Sequence, residues 1–217
     1  MTNKSNNKPR TIVYIDGFNL YFGALKNTPH KWLDLEKLFQ KLLGEKNQIT
    51  QIKYFTARIS ARTNNPESPD RQDAYLNAIE KHCPLVKIYY GHFLTNKTKV
   101  KVDNPPKGCP PYVTAIDTKE KGSDVNLALH ILNDAWHNRY DCAVLVSNDS
   151  DIAGALQLVK EEHNKKIGLI IPEHRRPSNS LMLHKDFMKV IRSSVLADSQ
   201  LPDHIPGTNL HKPKKWS

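Results

Sequence analysis

T-I-V-Y-I-D-G-F-N at 11–19 decides the fold. Thr11 to Ile15 are β-branched or aromatic, which suits a strand buried in a sheet. The run stops at Asp16, then gives Gly17, which permits a sharp turn, and Asn19. In open α/β sheets, ligands bind beyond the carboxyl ends of the strands. One carboxylate at that point is only suggestive. The pattern returns as V-L-V-S-N-D-S-D at 144–151, so two apolar runs end in acid. As neighbouring strands they would bring their carboxylates to one edge of one sheet.

Outward from these two runs, strands and helices alternate. Leu35, Leu38, Phe39, Leu42 and Leu43 make one face of a helix at 34–43, closed by Gly44. A strand follows at 49–57, a polar loop at 62–69, then a helix at 70–83 with Tyr75, Ala78, Ile79 and His82 on one face. Residues 85–94 read as a single strand. The stretch 95–111 carries Lys97, Lys99, Lys101 and Lys107 and a P-P-K-G-C-P-P loop, so 98–102 and 112–116 pair as a hairpin. A helix at 123–136 has Ser123 as N-cap and Val125, Ala128, Leu129, Leu132, Ala135 and Trp136 as its apolar stripe. Then come a strand at 142–147, a helix at 152–162, a strand at 166–171, a short helix at 179–184 and a short strand at 187–191. This order predicts an α/β fold: a Rossmann-like three-layer sandwich with a mainly parallel central sheet and a β-hairpin insertion at 95–118. Residues 1–9 read as a disordered tail, 10–197 as one domain, and 198–217 as a Pro/Lys-rich tail.

The chain has 217 residues, 38% of them hydrophobic, and a net charge of +10. That basic excess favours a polyanionic partner without specifying a fold. Cys83, Cys109 and Cys142 show no C-x-x-C pairing, and an odd number makes no disulfide framework. No apolar run approaches a membrane span. The expectation is a soluble protein of a reducing compartment, the cytoplasm, with no membrane partner. Phosphate-binding loops with lysine, G-x-G-x-x-G fingerprints and nucleophile elbows do not occur in the sequence.

The chemistry rests on acids. Asp16 ends the first strand, Asp124 opens a helix, and Asp149 and Asp151 follow the strand at 142–147. Carboxylate oxygens are hard ligands that suit Mg²⁺ or Mn²⁺. Crowded without a cation, they raise one another's pKa. Each aspartate has a bland alternative: Asp149 or Asp151 as a helix cap, Asp124 as a partner of the helix dipole. Three such acids at strand ends and helix starts favour a site over three caps.

D-G-F-N at 16–19, E-K-G-S-D-V at 120–125 and S-N-D-S-D at 147–151 resemble, in that order, the signatures of the NYN domain, a PIN-like nuclease fold that includes bacterial LabA-type proteins. The resemblance covers residues 10–191. It implies a metal-dependent ribonuclease with Asp16, Asp124 and Asp149 as the metal-holding centre and Asp151 as its fourth member. It further implies that Asn19 holds a water or phosphate and that Ser147 orients the site. Hydrolysis to a 5′-phosphate and a 3′-hydroxyl is likewise what the resemblance implies. The substrate expected is RNA, single-stranded for preference.

On the substrate side, Lys119 and Lys121 flank the approach to Asp124, Arg58 and Arg62 follow the second strand, and Tyr21 is placed to stack a base. Solvated loop lysines and core aromatics are the alternatives. His163, His174 and His184 have no ligand spacing. A catalytically weak RNA-binding scaffold is the competing reading. An aspartyl phosphatase, which needs a second acid two residues after the first, is opposed by Phe18. The sequence leaves oligomeric state open, with a homodimer among the options, and does not choose between one metal and two.

Overall fold

A computed structural model describes residues 8–61, 63, 65–172 and 176–216. Arg62 and His174 therefore lie outside the described residues. Eight strands are seen among those described: β1 Arg10–Asp16, β2 Gln48–Thr56, β3 Val86–Tyr90, β4 His92–Lys101, β5 Tyr112–Lys121, β6 Cys142–Val146, β7 Lys166–Ile171 and β8 Phe187–Val190. Six form one sheet in the order β3-β2-β1-β6-β7-β8, and every pairing in it is parallel. Seven helices accompany them: α1 Gly17–Leu20, α2 Leu35–Leu43, α3 Ser68–His82, α4 Ser123–Trp136, α5 Ala153–His163, α6 Asn179–Met182 and α7 Ser193–Ala197.

Side chains of β1 alternate with the two-residue period of a strand. Val13 and Ile15 join Leu38 and Phe39 of α2 and Tyr75 and Leu76 of α3 in one core. Ile12 and Tyr14 join Leu127 and Ile131 of α4 and Leu156 of α5 in the other. The sheet is thus covered on both faces, the expected three-layer α/β sandwich. Its strand order runs outward from β1 in two directions, to β2 and β3 on one side and to β6, β7 and β8 on the other. Loops leaving neighbouring strands diverge at such a switch point and open a crevice. Ile15 pairs with Val146, so Asp16 and Ser147 emerge side by side at that crevice.

Four expectations are corrected. The strand read at 85–94 is two strands. Gly91 separates them, and β4 leaves the main sheet to pair antiparallel with β5 over its whole length, from His92–Lys121 to Lys101–Tyr112. The ribbon therefore begins earlier and ends later than the hairpin at 98–102 and 112–116. A side chain at position 91 would collide with Glu120 and the Lys121 carbonyl, so only glycine fits the neck of this ribbon.

The second correction concerns α4. Its N-cap is Gly122, in the left-handed region with φ 95°, and Ser123 is already helical. The third is the face it buries. Of the expected stripe, Ala135 is buried and Leu132 packs against the core, but Val125, Leu129 and Trp136 are 62%, 58% and 77% exposed, and Leu127, Ile131 and Asp134 are the fully covered positions. The cause is polar. Lys53 of β2 reaches Asp134 at 2.5 Å, Tyr14 donates to it at 2.7 Å and Arg139 at 2.9 Å. A buried acid with three donors can occupy a core position that apolar periodicity alone assigns elsewhere.

The fourth is the stretch 198–216, which packs on the core where a tail is expected. Trp32 donates its indole N–H to the Pro202 carbonyl at 2.8 Å, and Leu201 N–H reaches Trp32 O at 2.9 Å. Leu201 and Ile205 are buried, and Trp216 lies against Trp32 and Tyr75 with ring centroids 6.4 and 6.3 Å away. Widely spaced apolar residues among Pro and Lys give no periodicity, yet Leu201 and Ile205 join the same core as Trp32, and Leu210 and Trp216 pack against it.

Candidate active site

Asp16 is the pivot. It is 3% exposed, at the last position of β1 and the N-cap of α1. One carboxylate oxygen accepts from the Asn19 backbone N–H at 2.9 Å. The other accepts from the Asn19 side-chain amide at 2.5 Å and from Ser147 Oγ at 3.2 Å. Burial pushes the Asp16 carboxyl up; those hydrogen bonds oppose the shift, Asp149 adds to it, and the net direction is upward. Gly17 follows because a Cβ there would sit 2.8 Å from the Phe55 carbonyl and the Tyr54 ring. The D-G step therefore reflects both an acid at the strand end and the backbone's close approach to β2.

Ser147 is wholly buried and links the two acid-tipped strands. Its Oγ donates to Asp16 and accepts from the Asp149 N–H at 3.1 Å. Asn19 does likewise from the other side: its side-chain oxygen accepts the Asn148 N–H at 3.3 Å. Asn19 thus fixes Asp16 and the loop after β6. Asp149 caps a short 3₁₀ turn at Ser150–Ile152, accepting the Asp151 N–H at 2.9 Å. The bland reading of Asp149 as a cap is therefore realised on one oxygen, while its charge still reaches Asp16 and Asp124. Asp151 sits exposed in the first turn of that element.

Asp124 enters from α4. Its carboxyl is pushed up to about 6, first by burial and then by the negative charges of Asp16, Asp149, Glu120 and Asp151. Five carboxylates from β1, β5, α4 and the loop after β6 thus share one electrostatic neighbourhood. Glu120 is the member that sequence reasoning missed, although it stands inside the E-K-G-S-D-V segment. Its Oε1 accepts from the Ser123 N–H at 3.1 Å and Oγ at 2.7 Å, tying the ribbon to the start of α4. The available signal was a glutamate three residues before a serine at a helix start.

Among the described residues, no three His, Cys, Asp or Glu side chains converge closely enough to chelate an ion by themselves. Electrostatic coupling extends further than direct ligation, and Mg²⁺ typically takes one or two carboxylates and completes its shell with water and phosphate. The donor set is all hard oxygen and, among the described residues, none of these five acids is in an ion pair. Both features fit such a cation.

The basic and aromatic residues expected to meet substrate are less central. Lys119 and Lys121 lie on β5 rather than in a loop, and Lys119 pairs with Asp117 at 2.9 Å. Arg58 pairs with Asp73 and lies over the Tyr90 ring at 5.0 Å. Tyr21 opens a single π-helical turn, Tyr21–Leu25, directly after α1.

Residues 10–191 match the NYN domain. The chain belongs to the NYN domain family. Its PIN-like α/β sandwich is the one described above. The NYN chain is also 36% identical to 6-hydroxy-3-succinoylpyridine 3-monooxygenase of Pseudomonas putida, over all of its own length and 78% of that protein. Among solved structures, a protein of unknown function from Vibrio parahaemolyticus aligns over 91% of this chain and 99% of its own, with TM-score 0.54 and 17% identity. That likeness concerns the fold alone. No helix of the described residues is long and apolar enough to cross a membrane.

Proposed function

We propose that this NYN protein is a metal-dependent ribonuclease that hydrolyses phosphodiester bonds of single-stranded RNA. Nuclease activity in general is what the family suggests. The observation that carries the finer reading is the placement of Asp16 at the end of β1, joined through Ser147 to Asp149 after β6, with Asp124 of α4 near enough to feel both charges and none of these acids in an ion pair among the described residues. Asp16, Asp124 and Asp149 would hold Mg²⁺ or Mn²⁺. When bound, that ion supplies polarisation of a phosphoryl oxygen and a more acidic water.

The chain's own residues do the rest. Asn19 and Ser147 hold Asp16 in one orientation through three hydrogen bonds. Ser147 and Asn19 also hold the loop that carries Asp149. Asp151, exposed beside them, accepts the proton of the attacking water. Water oxygen bonds to phosphorus as the bond to the 3′-oxygen breaks, and that oxygen takes a proton from solvent, leaving a 5′-phosphate and a 3′-hydroxyl. The net charge of +10 attracts a polyanion to the protein from a distance.

The test is cleavage of a labelled single-stranded RNA with Mn²⁺ or Mg²⁺, by the native protein and by Asp149→Asn. Cleavage that disappears in the variant supports the reading; equal cleavage by both assigns it to a contaminant. Binding with a steep salt dependence and no turnover with either metal would select the RNA-binding scaffold. A further reading comes from the 36% identity to a pyridine monooxygenase. It requires dioxygen and a reductant. Consumption of 6-hydroxy-3-succinoylpyridine in air with a reduced nicotinamide, without RNA cleavage, would select it.

A further inference from the structure

Beyond the acidic cluster, on the α2–α3 side of the same sheet edge, lies a cavity of about 460 Å³. Small-ligand sites span about 300–1,000 Å³, so its size suits one substituted ring better than a length of nucleic acid. Five separate segments bring aromatic side chains to its wall: Phe18 from α1, Tyr21 from the π turn, Tyr54 from β2, Tyr75 from α3 and Trp216 from the turn Lys214–Trp216. Gly17 reaches the same wall, so the cavity begins one residue from Asp16.

Two features mark this cavity as built. The first is the π turn. Lys26 N–H reaches back five residues to the Tyr21 carbonyl at 2.7 Å, which widens the helix and places Tyr21, Phe22 and Leu25 together on the wall. Such single π turns are rare and frequently sit at functional sites. The second is charge. The wall also carries Lys31, Lys215 and Arg71 and, among its described residues, no Asp or Glu. Arg71 is buried and held by Glu67 and Asn65. Lys31 spends one ammonium proton on the Thr28 carbonyl, which leaves two for a ligand.

We propose that this cavity binds a planar ring carrying an anionic group, with the aromatic wall on the ring and Lys31 and Lys215 on the anion. Two sources supply that chemistry: a single nucleotide, or a free heteroaromatic carboxylate. The proposal goes beyond the phosphodiester reading and does not need it. Binding is measured with metal withheld and no bond cleaved, so failure of the nuclease assay and failure of this proposal are separate results.

The experiment is calorimetric titration of the full chain, in EDTA, with adenosine 5′-monophosphate and with nicotinate. Their uncharged counterparts, adenosine and nicotinamide, serve as controls. Saturable binding of at least one acid is expected, roughly tenfold tighter than its uncharged counterpart. The double variant Lys31→Met/Lys215→Met, checked for native circular dichroism, should lose about tenfold in affinity for that acid. Because Lys215 is exposed, the single change Lys215→Met serves as a second probe and should weaken binding in the same direction. Preference for the nucleotide places the source in nucleic acid; preference for nicotinate places it among free metabolite-sized acids. No saturable binding of either acid to millimolar concentration overturns the proposal. So does binding that the charge of the ligand or the lysines leaves unchanged.

Discussion

Two acidic centres sit at different depths of this sheet, and they resolve the same problem in opposite ways. Asp134 is wholly buried and accepts from Lys53, Tyr14 and Arg139. Burial alone would push its carboxyl up, but those donors outweigh burial and hold it below the usual range. Asp124 lies nearer the sheet edge, yet its carboxyl is pushed up to about 6. The difference is the company each keeps. Asp134 has its cation supplied by the chain; Asp124 meets other acids. A centre neutralised from within is structural, and one left repelling itself is ready for a cation from solution.

The largest effect should come from breaking the internal centre. Asp134→Ala leaves Lys53 buried without its carboxylate and should cost about 3–5 kcal/mol in urea unfolding. Asp149→Asn should do the reverse: RNA cleavage falls at least about a hundredfold, roughly 2.7 kcal/mol of activation free energy, with little change in the unfolding midpoint. Mn²⁺ sharpens the contrast. At about tenfold excess over its Kd it should stabilise the native protein by roughly 1.4 kcal/mol, seen as a rise in Tm. The same addition should leave a chain carrying both Asp16→Asn and Asp149→Asn unmoved.

Acidity gives a smaller and more diagnostic effect. The folded Asp124 carboxyl titrates at about 6 against an ordinary 3.8. Between those values the native state holds a proton that the unfolded chain has released, so stability falls as pH rises through that window. The deficit is complete above about 6. Asp124→Asn should therefore raise stability at neutral pH by roughly 1 kcal/mol, after allowance for solvent screening, and confer nothing below the ordinary value. Asp134 has the opposite sign: its depressed pKa contributes stability at neutral pH that is lost on acidification. Smallest of all, Lys119→Met removes an exposed pair with Asp117 and should change stability by less than about 0.5 kcal/mol.

The legible parts of this molecule were those with continuous local patterns. Thr11 to Ile15 and Cys142 to Val146 announce buried strands by composition, and Asp16 and Asp149 mark their ends. Leu35 to Leu43 announce α2 by period and Gly44 its end, while Asp34, read as its first residue, is its N-cap. What stayed hidden depended on partners distant in sequence. The buried face of α4 follows from Lys53, 81 positions before Asp134. The order of 198–216 follows from Trp32, 170 positions before Pro202. The site divides the same way. Asp16 and Asp149 were readable as acids at strand ends, Asp124 as one at a helix start, and Ser147 as an orienting group from the resemblance, whereas the bracing of separate segments by Asn19 and Glu120 required the fold. The basic residues were legible as charge but not as contacts: Arg58 and Lys119 are engaged with acids of their own.

The ribbon of β4 and β5 has a consequence for handling the protein. It projects from a glycine neck, shares no ladder with the six-stranded sheet, and turns at its tip through Asn104 and Gly108, both at positive φ. Nothing in the two cores depends on the backbone being unbroken there. The tip is thus a natural place to graft a reporter or open new chain ends. The two fragments would still meet through the β1–β6 seam, where Ser147 donates to Asp16.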